Sequence, residues 1–131
     1  MKCIYLVLLS LLSFNLSAET LVKKDLIGRW EPYNEVTATT SKFVEFKSSG
    51  NVLYSHNWKT DKVFESKKLN IVDGLFIITF SKDDGSKRFK LAVSGWKSKV
   101  SGKMLIGTLY VYYKGQLTNG IPVSYWYKDE N

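Results

Sequence analysis

The chain has 131 residues, enough for one domain, with 19 Lys and Arg residues against 12 Asp and Glu and a formal net charge of +7. Its single cysteine excludes an intramolecular disulfide, and its single histidine excludes the usual histidine-rich zinc sites. The composition therefore favours a basic domain held together by its apolar core alone.

The first eighteen residues have the pattern of a cleaved signal peptide. The positive Lys2 precedes an apolar run over 4–16, and Ala18 supplies a small residue at the expected cleavage point. The run is shorter than the roughly 20 residues that span a bilayer, which argues against an uncleaved membrane anchor. Cys3 lies within the signal, so lipidation is not expected. The sequence predicts an exported protein, periplasmic or secreted, with 19–131 as one domain and no transmembrane segment after cleavage.

The rest of the chain alternates between apolar and polar residues with the period of two that is typical of strands. Short turns containing Gly, Asp or Asn separate these segments. No segment of the mature chain has a helical pattern, and any helix would be a single turn within 20–25 or 33–40. The predicted strands cover 26–30, 42–47, 52–58, 63–72, 75–81, 87–97 and two segments within 102–127.

About eight strands in sequential hairpins predict an all-β fold, an antiparallel up-and-down meander. Such a meander hides its apolar face either by closing into a small barrel or by folding over into a β-sandwich. We favour the barrel because closure removes the exposed edges that promote aggregation.

The first strand, 26–30, contains a short motif formed by Gly28 and Trp30. It resembles the G-x-W opening of the lipocalins and lipocalin-like proteins. The resemblance implies that Trp30 packs across the closed end of a small barrel and that Gly28 permits close backbone approach there, so both are expected to be structural. It also implies a small apolar ligand or an envelope lipid as the bound partner.

The mature chain offers little for catalysis. His56 shares a strand face with Tyr54 and Trp58, and no spacing brings it to an acidic partner, so we interpret it as a packed or rim residue. Asp83 and Asp84 are explained by a hairpin turn. We therefore predict no enzyme, no catalytic residue, no metal site and no cofactor.

The aromatic residues are the strongest remaining signal. Tyr110, Tyr112, Tyr125 and Tyr127 occupy alternate positions of the last two strands and could form one tyrosine wall. An inward wall would line a cavity for an apolar ligand, an outward wall would suit a protein partner, and ordinary cross-strand packing is the third alternative. The predicted ligand- or partner-binding residues are Tyr54, Trp58, Tyr110, Tyr112, Tyr125 and Tyr127.

The sequence thus leads to an exported, non-enzymatic, lipocalin-like binding protein that holds a small apolar ligand or an envelope lipid. The alternative is an exported protein-binding module, such as an inhibitor or toxin-immunity protein, that uses an aromatic surface patch. The positive charge also suits an anionic envelope surface. Nucleic acid is not expected as a partner, because only Arg29 and Arg88 carry the guanidinium fork that its recognition favours.

Overall fold

A computed structural model describes residues 19–56, 62–81, 85–100 and 102–128. The predicted signal peptide and Trp58 lie outside the described residues. The described chain is all-β, and within it no helix is long and apolar enough to cross a membrane. The strands are β1 (Glu19–Thr20), β2 (Gly28–Pro32), β3 (Ser41–Phe46), β4 (Val52–His56), β5 (Val63–Ser66), β6 (Leu69–Val72), β7 (Leu75–Ser81), β8 (Lys87–Ser98), β9 (Gly102–Tyr113) and β10 (Gln116–Tyr127).

Two short helical segments interrupt the strands, in the two places where the sequence allows a single turn. A 3₁₀ turn covers Lys23–Leu26, and helix α1 covers Glu35–Thr40. The Asn34 side chain caps α1 by accepting a hydrogen bond from the Thr37 amide at 2.9 Å. The Thr37 hydroxyl in turn accepts the Ser124 amide at 2.8 Å. Helix α1 is thereby fixed to β10 just beyond the point where β2 ends.

All the strands belong to one antiparallel sheet with the order β5-β4-β3-β2-β10-β9-β8-β7-β6, and β1 pairs with the far end of β8. The first long strand, β2, pairs with the last, β10, so that Trp30 lies opposite Tyr127. The prediction of an all-β antiparallel fold is confirmed, and the strands form one sheet rather than the two of a sandwich.

The predicted closed barrel needs correction. β5 and β6 are the two ends of the strand order, and no ladder joins them within the described chain, so the sheet is open there. The single strand predicted over 63–72 breaks between Ser66 and Leu69. The Ser66 hydroxyl donates to the Lys68 carbonyl at 3.1 Å and accepts the Lys68 amide at 3.4 Å, a local turn that competes with strand pairing. The first half of the segment therefore pairs with β4 and the second half with β7.

One face of the sheet encloses a continuous apolar core. Directly opposed residues on neighbouring strands share a face, so the row formed by Ile78, Leu91, Leu109 and Ile121 crosses four strands on the core side. The period-two alternation predicted for the strand over 87–97 is confirmed, because Phe89, Leu91 and Val93 on one face are fully buried while the residues between them are more exposed. The other large buried side chains include Leu26, Trp30, Val44, Tyr54, Phe80, Leu105 and Tyr125.

The 3₁₀ turn and Trp30 cover one end of this core. The fully buried Trp30 donates its indole N–H to the Leu26 carbonyl at 2.8 Å, and its ring meets Tyr127 edge-on at 5.3 Å between centroids. Gly28 has a φ of +127°, and a Cβ there would lie 2.5 Å from the Tyr127 hydroxyl oxygen. Gly28 is therefore needed both for its backbone conformation and for the close approach of Tyr127.

Asp25 ties the 3₁₀ turn to the sheet. Its carboxylate accepts the Val22 amide at 2.9 Å and pairs with the Lys97 ammonium at 3.0 Å, while its carbonyl accepts a hydrogen bond from Lys103. The Val22 amide is the main cause that lowers the pKa of Asp25, with Lys97 adding to it. The carboxylate is thus already engaged by partners inside the fold.

Candidate functional site

Among the described residues, two cavities are candidates for holding a ligand. The first, the basal pocket, has a volume of about 380 Å³ and lies between the 3₁₀ turn, the β3–β4 turn and the start of β6. Its floor is apolar and is formed by Leu26, Phe46, Val52 and Leu69. Its rim is basic and carries Lys23, Lys24 and Lys47.

The charge of this rim is not balanced within the described chain. None of Lys23, Lys24 and Lys47 forms an ion pair there, and no described lining residue is acidic. The nearby Asp25 carboxylate does not offset them, since it binds Lys97 and the Val22 amide. A positive rim over an apolar floor matches a ligand with an acidic head and an apolar tail.

The second cavity, the outer groove, has a volume of about 500 Å³ and lies on the face of β7, β8 and β9 that points away from the core. Arg88 pairs across the sheet with Ser81 and Tyr112, and Lys90 pairs with Thr79 and Tyr110. The described lining residues are Asn70, Ile77, Thr79, Gly85, Ser86, Arg88, Lys90, Tyr112 and Gly115.

The four C-terminal tyrosines do not form one wall. Tyr125 and Tyr127 lie on the core side of β10, opposite or beside buried residues, whereas Tyr110 and Tyr112 lie on the outer side of β9. The strand register shifts by one residue between Leu117 and Asn119. A β-bulge of this kind moves every following side chain to the other face, and this is why the expected wall is divided.

The interior, where a lipocalin-like ligand was expected, is occupied by aromatic side chains. Tyr54 is fully buried and packs against Phe80 at 5.2 Å and Phe89 at 5.9 Å between ring centroids. Burial raises the pKa of Tyr54 and of Tyr125, and Ser41 faces both phenols. Tyr54 and Tyr125 are thus part of the packed core.

His56 belongs to the same aromatic cluster. Its Nδ1 shares a 2.8 Å hydrogen bond with the Tyr54 hydroxyl, and its ring lies 4.2 Å from that of Phe89. Burial, with a contribution from the positive Lys87, lowers the pKa of His56 to about 4. The imidazole is therefore neutral at pH 7.

This lowered pKa predicts a loss of stability in mild acid. The unfolded chain takes up a proton at His56 below about pH 6.5, whereas the folded chain resists it down to about pH 4. The free energy of unfolding is therefore highest above about pH 6.5. It falls as the pH is lowered from about 6.5 to about 4, by about 1–2 kcal/mol once partial exposure of the ring is allowed for. Urea unfolding at pH 7.0 and pH 4.5 measures it.

The control is His56→Gln, which should show a smaller difference between the two pH values. Because the chain has one histidine, NMR titration of the untagged protein reports its pKa without assignment. A midpoint near 6.5 would contradict the predicted burial.

No known protein family, curated protein or solved structure matches this chain. The site must therefore be judged on its own geometry. Within the described residues, no group of three or more His, Cys, Asp or Glu side chains is placed to hold a metal ion.

Sequence reasoning missed the two cavities. Arg88 and Lys90 occupy alternate positions of the strand predicted over 87–97 and so share a face, but their neighbours across the sheet depend on the β8–β9 register. Lys23, Lys24 and Lys47 come from segments more than twenty residues apart, and only the fold brings them together. Of the predicted binding residues that the structure describes, Tyr112 lines the outer groove, and the others line neither of these two cavities.

Proposed function

We propose that this chain is an exported, non-enzymatic binding protein that holds an amphipathic anion, such as a fatty acid or an anionic envelope lipid, in its basal pocket. The observation that carries the proposal is the three-lysine rim above an apolar floor. Lys23, Lys24 and Lys47 would face the acidic head, and Leu26 and Phe46 would face the tail.

The dimensions of the pocket support a single short acyl chain. Small-molecule sites commonly measure 300–1,000 Å³, and the basal pocket falls at the lower end of that range with about 380 Å³. Each buried methylene contributes about 0.8 kcal/mol, so a partly buried chain with one charged head can reach micromolar affinity. The ligand site of this proposal is thus at the end of the sheet, outside the aromatic interior.

The barrel-like character of the sheet is part of the same proposal. The pairing of β2 with β10 joins the first and last long strands of the chain within the sheet. The two edge strands, β5 and β6, are separated by only two residues of the chain. In this view the sheet acts as a barrel with one unpaired seam, between β5 and β6. The seam lies beside the basal pocket, since Leu69 at the start of β6 lines it.

Two other parts of the proposal, export and a non-enzymatic role, have separate support. The pattern over 1–18 predicts a signal peptide. The half-buried His56 packs against Tyr54 and Phe89, and burial together with Lys87 lowers its pKa to about 4, an arrangement that suits packing. Both properties favour a protein that acts by binding.

The test is a calorimetric titration of the purified protein, expressed with its own leader, with laurate and with the neutral dodecyl maltoside below their micelle concentrations. We expect laurate to bind with micromolar affinity and the neutral amphiphile to bind more weakly. The triple variant Lys23→Gln, Lys24→Gln and Lys47→Gln should lose about tenfold in laurate affinity, because three modest ion-pairing contributions are removed.

The matched control is the triple variant Lys67→Gln, Lys99→Gln and Lys114→Gln, which removes three exposed lysines that line neither cavity. Its laurate affinity should equal that of the parent protein. Equal affinities for the two amphiphiles, an unaffected triple variant, or no binding by the folded protein would each refute the proposal.

A second candidate is a protein-binding module, and a specific surface favours it. Tyr33 and Trp126 are 61% and 49% exposed, and their rings pair edge-on at 6.4 Å. Val36 of α1 and Ile106 of β9 are also exposed apolar residues of this region. Exposed aromatic pairs of this kind are enriched in protein interfaces. The patch differs from the predicted tyrosine wall, since it uses neither Tyr110 nor Tyr125.

A further inference from the structure

The outer groove combines charge, hydrogen-bonding groups and one aromatic ring. Arg88 and Lys90 occupy alternate positions of β8, so their Cα atoms are about 7 Å apart and their side chains share a face. Tyr112 of β9 lies directly opposite Arg88 and lines the same groove. Thr79 and Asn70 add a hydroxyl and an amide on the other side.

The two cations are unbalanced within the described chain. No described residue that lines the groove is acidic, and neither Arg88 nor Lys90 forms an ion pair there. Lys87, which lies on the opposite face of β8, is instead placed over the Phe89 ring. The groove thus concentrates positive charge that no acidic side chain of the described residues pairs with.

The shape and chemistry of the groove favour a sugar over a lipid or a nucleic acid. Ile77 is the only large aliphatic side chain among the described lining residues. The groove therefore offers little apolar surface against which an acyl chain could be buried. Tyr112 is the only aromatic ring among them, whereas single-stranded nucleic acids are usually held by several stacking platforms. A pyranose ring needs one flat surface and several hydrogen-bonding groups around it.

We propose that the outer groove binds an acidic oligosaccharide. The Arg88 guanidinium would bind one carboxylate through its bidentate fork, and Lys90 would pair with the acid of the next sugar. The Tyr112 ring would cover a sugar face, and Thr79 and Asn70 would hydrogen-bond to hydroxyl groups. This site is separate from the basal pocket and does not depend on lipid binding.

The test uses tetragalacturonate, which carries one carboxylate per sugar, with maltotetraose as the neutral counterpart. We expect tetragalacturonate to bind with a dissociation constant below 1 mM in 50 mM salt and maltotetraose to bind at least tenfold more weakly. The double variant Arg88→Gln and Lys90→Gln should lose at least tenfold in affinity. Tyr112→Leu should lose about fivefold at unchanged net charge.

The double variant Lys67→Gln and Lys99→Gln serves as the charge-matched control, because both lysines are exposed and line neither cavity. It should bind tetragalacturonate as the parent does. Laurate binding by the groove variants should also be unchanged, which separates this proposal from the basal pocket. Circular dichroism of each variant confirms that it is folded.

Three results would overturn the inference. One is a folded parent protein that does not bind tetragalacturonate. Another is a groove double variant that loses no more affinity than the charge-matched control, which would indicate attraction by net charge alone. The third is tighter binding of a thymidine tetranucleotide than of tetragalacturonate, with the same dependence on Arg88 and Tyr112, which would make the groove a nucleic-acid surface.

Discussion

Replacing Trp30 with alanine is expected to lower the free energy of unfolding by about 4 kcal/mol, the usual cost of removing a large buried aromatic side chain. Trp30 is fully buried, and it joins β2 to the 3₁₀ turn through its 2.8 Å hydrogen bond to the Leu26 carbonyl. Its ring also packs edge-on against the Tyr127 ring, at the same end of the core. The substitution leaves a cavity and also removes the hydrogen-bond donor of the Leu26 carbonyl. A small rearrangement would neither fill the cavity nor replace the hydrogen bond.

Urea unfolding followed by circular dichroism measures this change, and two variants serve as controls. Trp30→Phe keeps most of the packing but loses the indole hydrogen bond, so we expect a loss of about 1–2 kcal/mol. Trp126→Ala removes an indole that is half exposed on the outer face and should cost about 1 kcal/mol or less. If Trp30→Ala and Trp126→Ala had equal effects, the proposed closure of this end of the core would be wrong.

The parts of the fold that follow from local pattern were predictable. The alternation over 87–97 puts Phe89, Leu91 and Val93 on one face, and the turn residues Asp73 and Gly74 separate the strands predicted over 63–72 and 75–81. The left-handed backbone of Asp73 and Gly74, with φ of 50° and 81°, is what that turn requires. These features depend on a few neighbouring residues, so a single sequence is enough to reveal them.

The features that escaped prediction depend on single-residue irregularities. Without a later shift, the register set by the two-residue turn at Lys114–Gly115 would have placed Tyr110 and Tyr125 on one face, as expected from the sequence. The bulge after Leu117, where the Thr118 hydroxyl donates to the Val111 carbonyl at 3.0 Å, moves the side chains of β10 from Asn119 onward to the other face. A Thr in a polar stretch gives no sequence signal for a bulge.

The open seam between β5 and β6 has the same kind of origin. Ser66 looks like an ordinary polar residue of an alternating strand, yet its side chain forms the local turn with Lys68 that ends the pairing. The candidate sites were harder still to foresee. The basal pocket needs the 3₁₀ turn and the β3–β4 turn to meet, which is a tertiary contact between segments with no common pattern.

Replacing Gly107 with alanine is expected to lower the free energy of unfolding by about 3 kcal/mol, the upper end of the usual cost of overpacking. Gly107 lies at the centre of the three longest strands, paired with Val93 on one side and Val123 on the other. A Cβ at this position would overlap the Ala92 carbonyl oxygen and lie 2.8 Å from the Val93 Cα. Both neighbours are backbone atoms, so no side-chain rotation can relieve the overlap.

Gly120→Ala is the matched control, because it also replaces a strand glycine but meets only side-chain atoms, the nearest at 3.7 Å. We expect its unfolding free energy to stay within about 0.5 kcal/mol of the parent value. Gly95→Ala, whose Cβ would overlap the Met104 carbonyl, should behave like Gly107→Ala. Thermal melting should therefore show a fall of about 10–20 °C for the first and third variants, and almost none for Gly120→Ala. Equal midpoints for all three would mean that β8 and β9 do not approach each other as closely as the sheet requires, since only that close approach distinguishes Gly95 and Gly107 from Gly120.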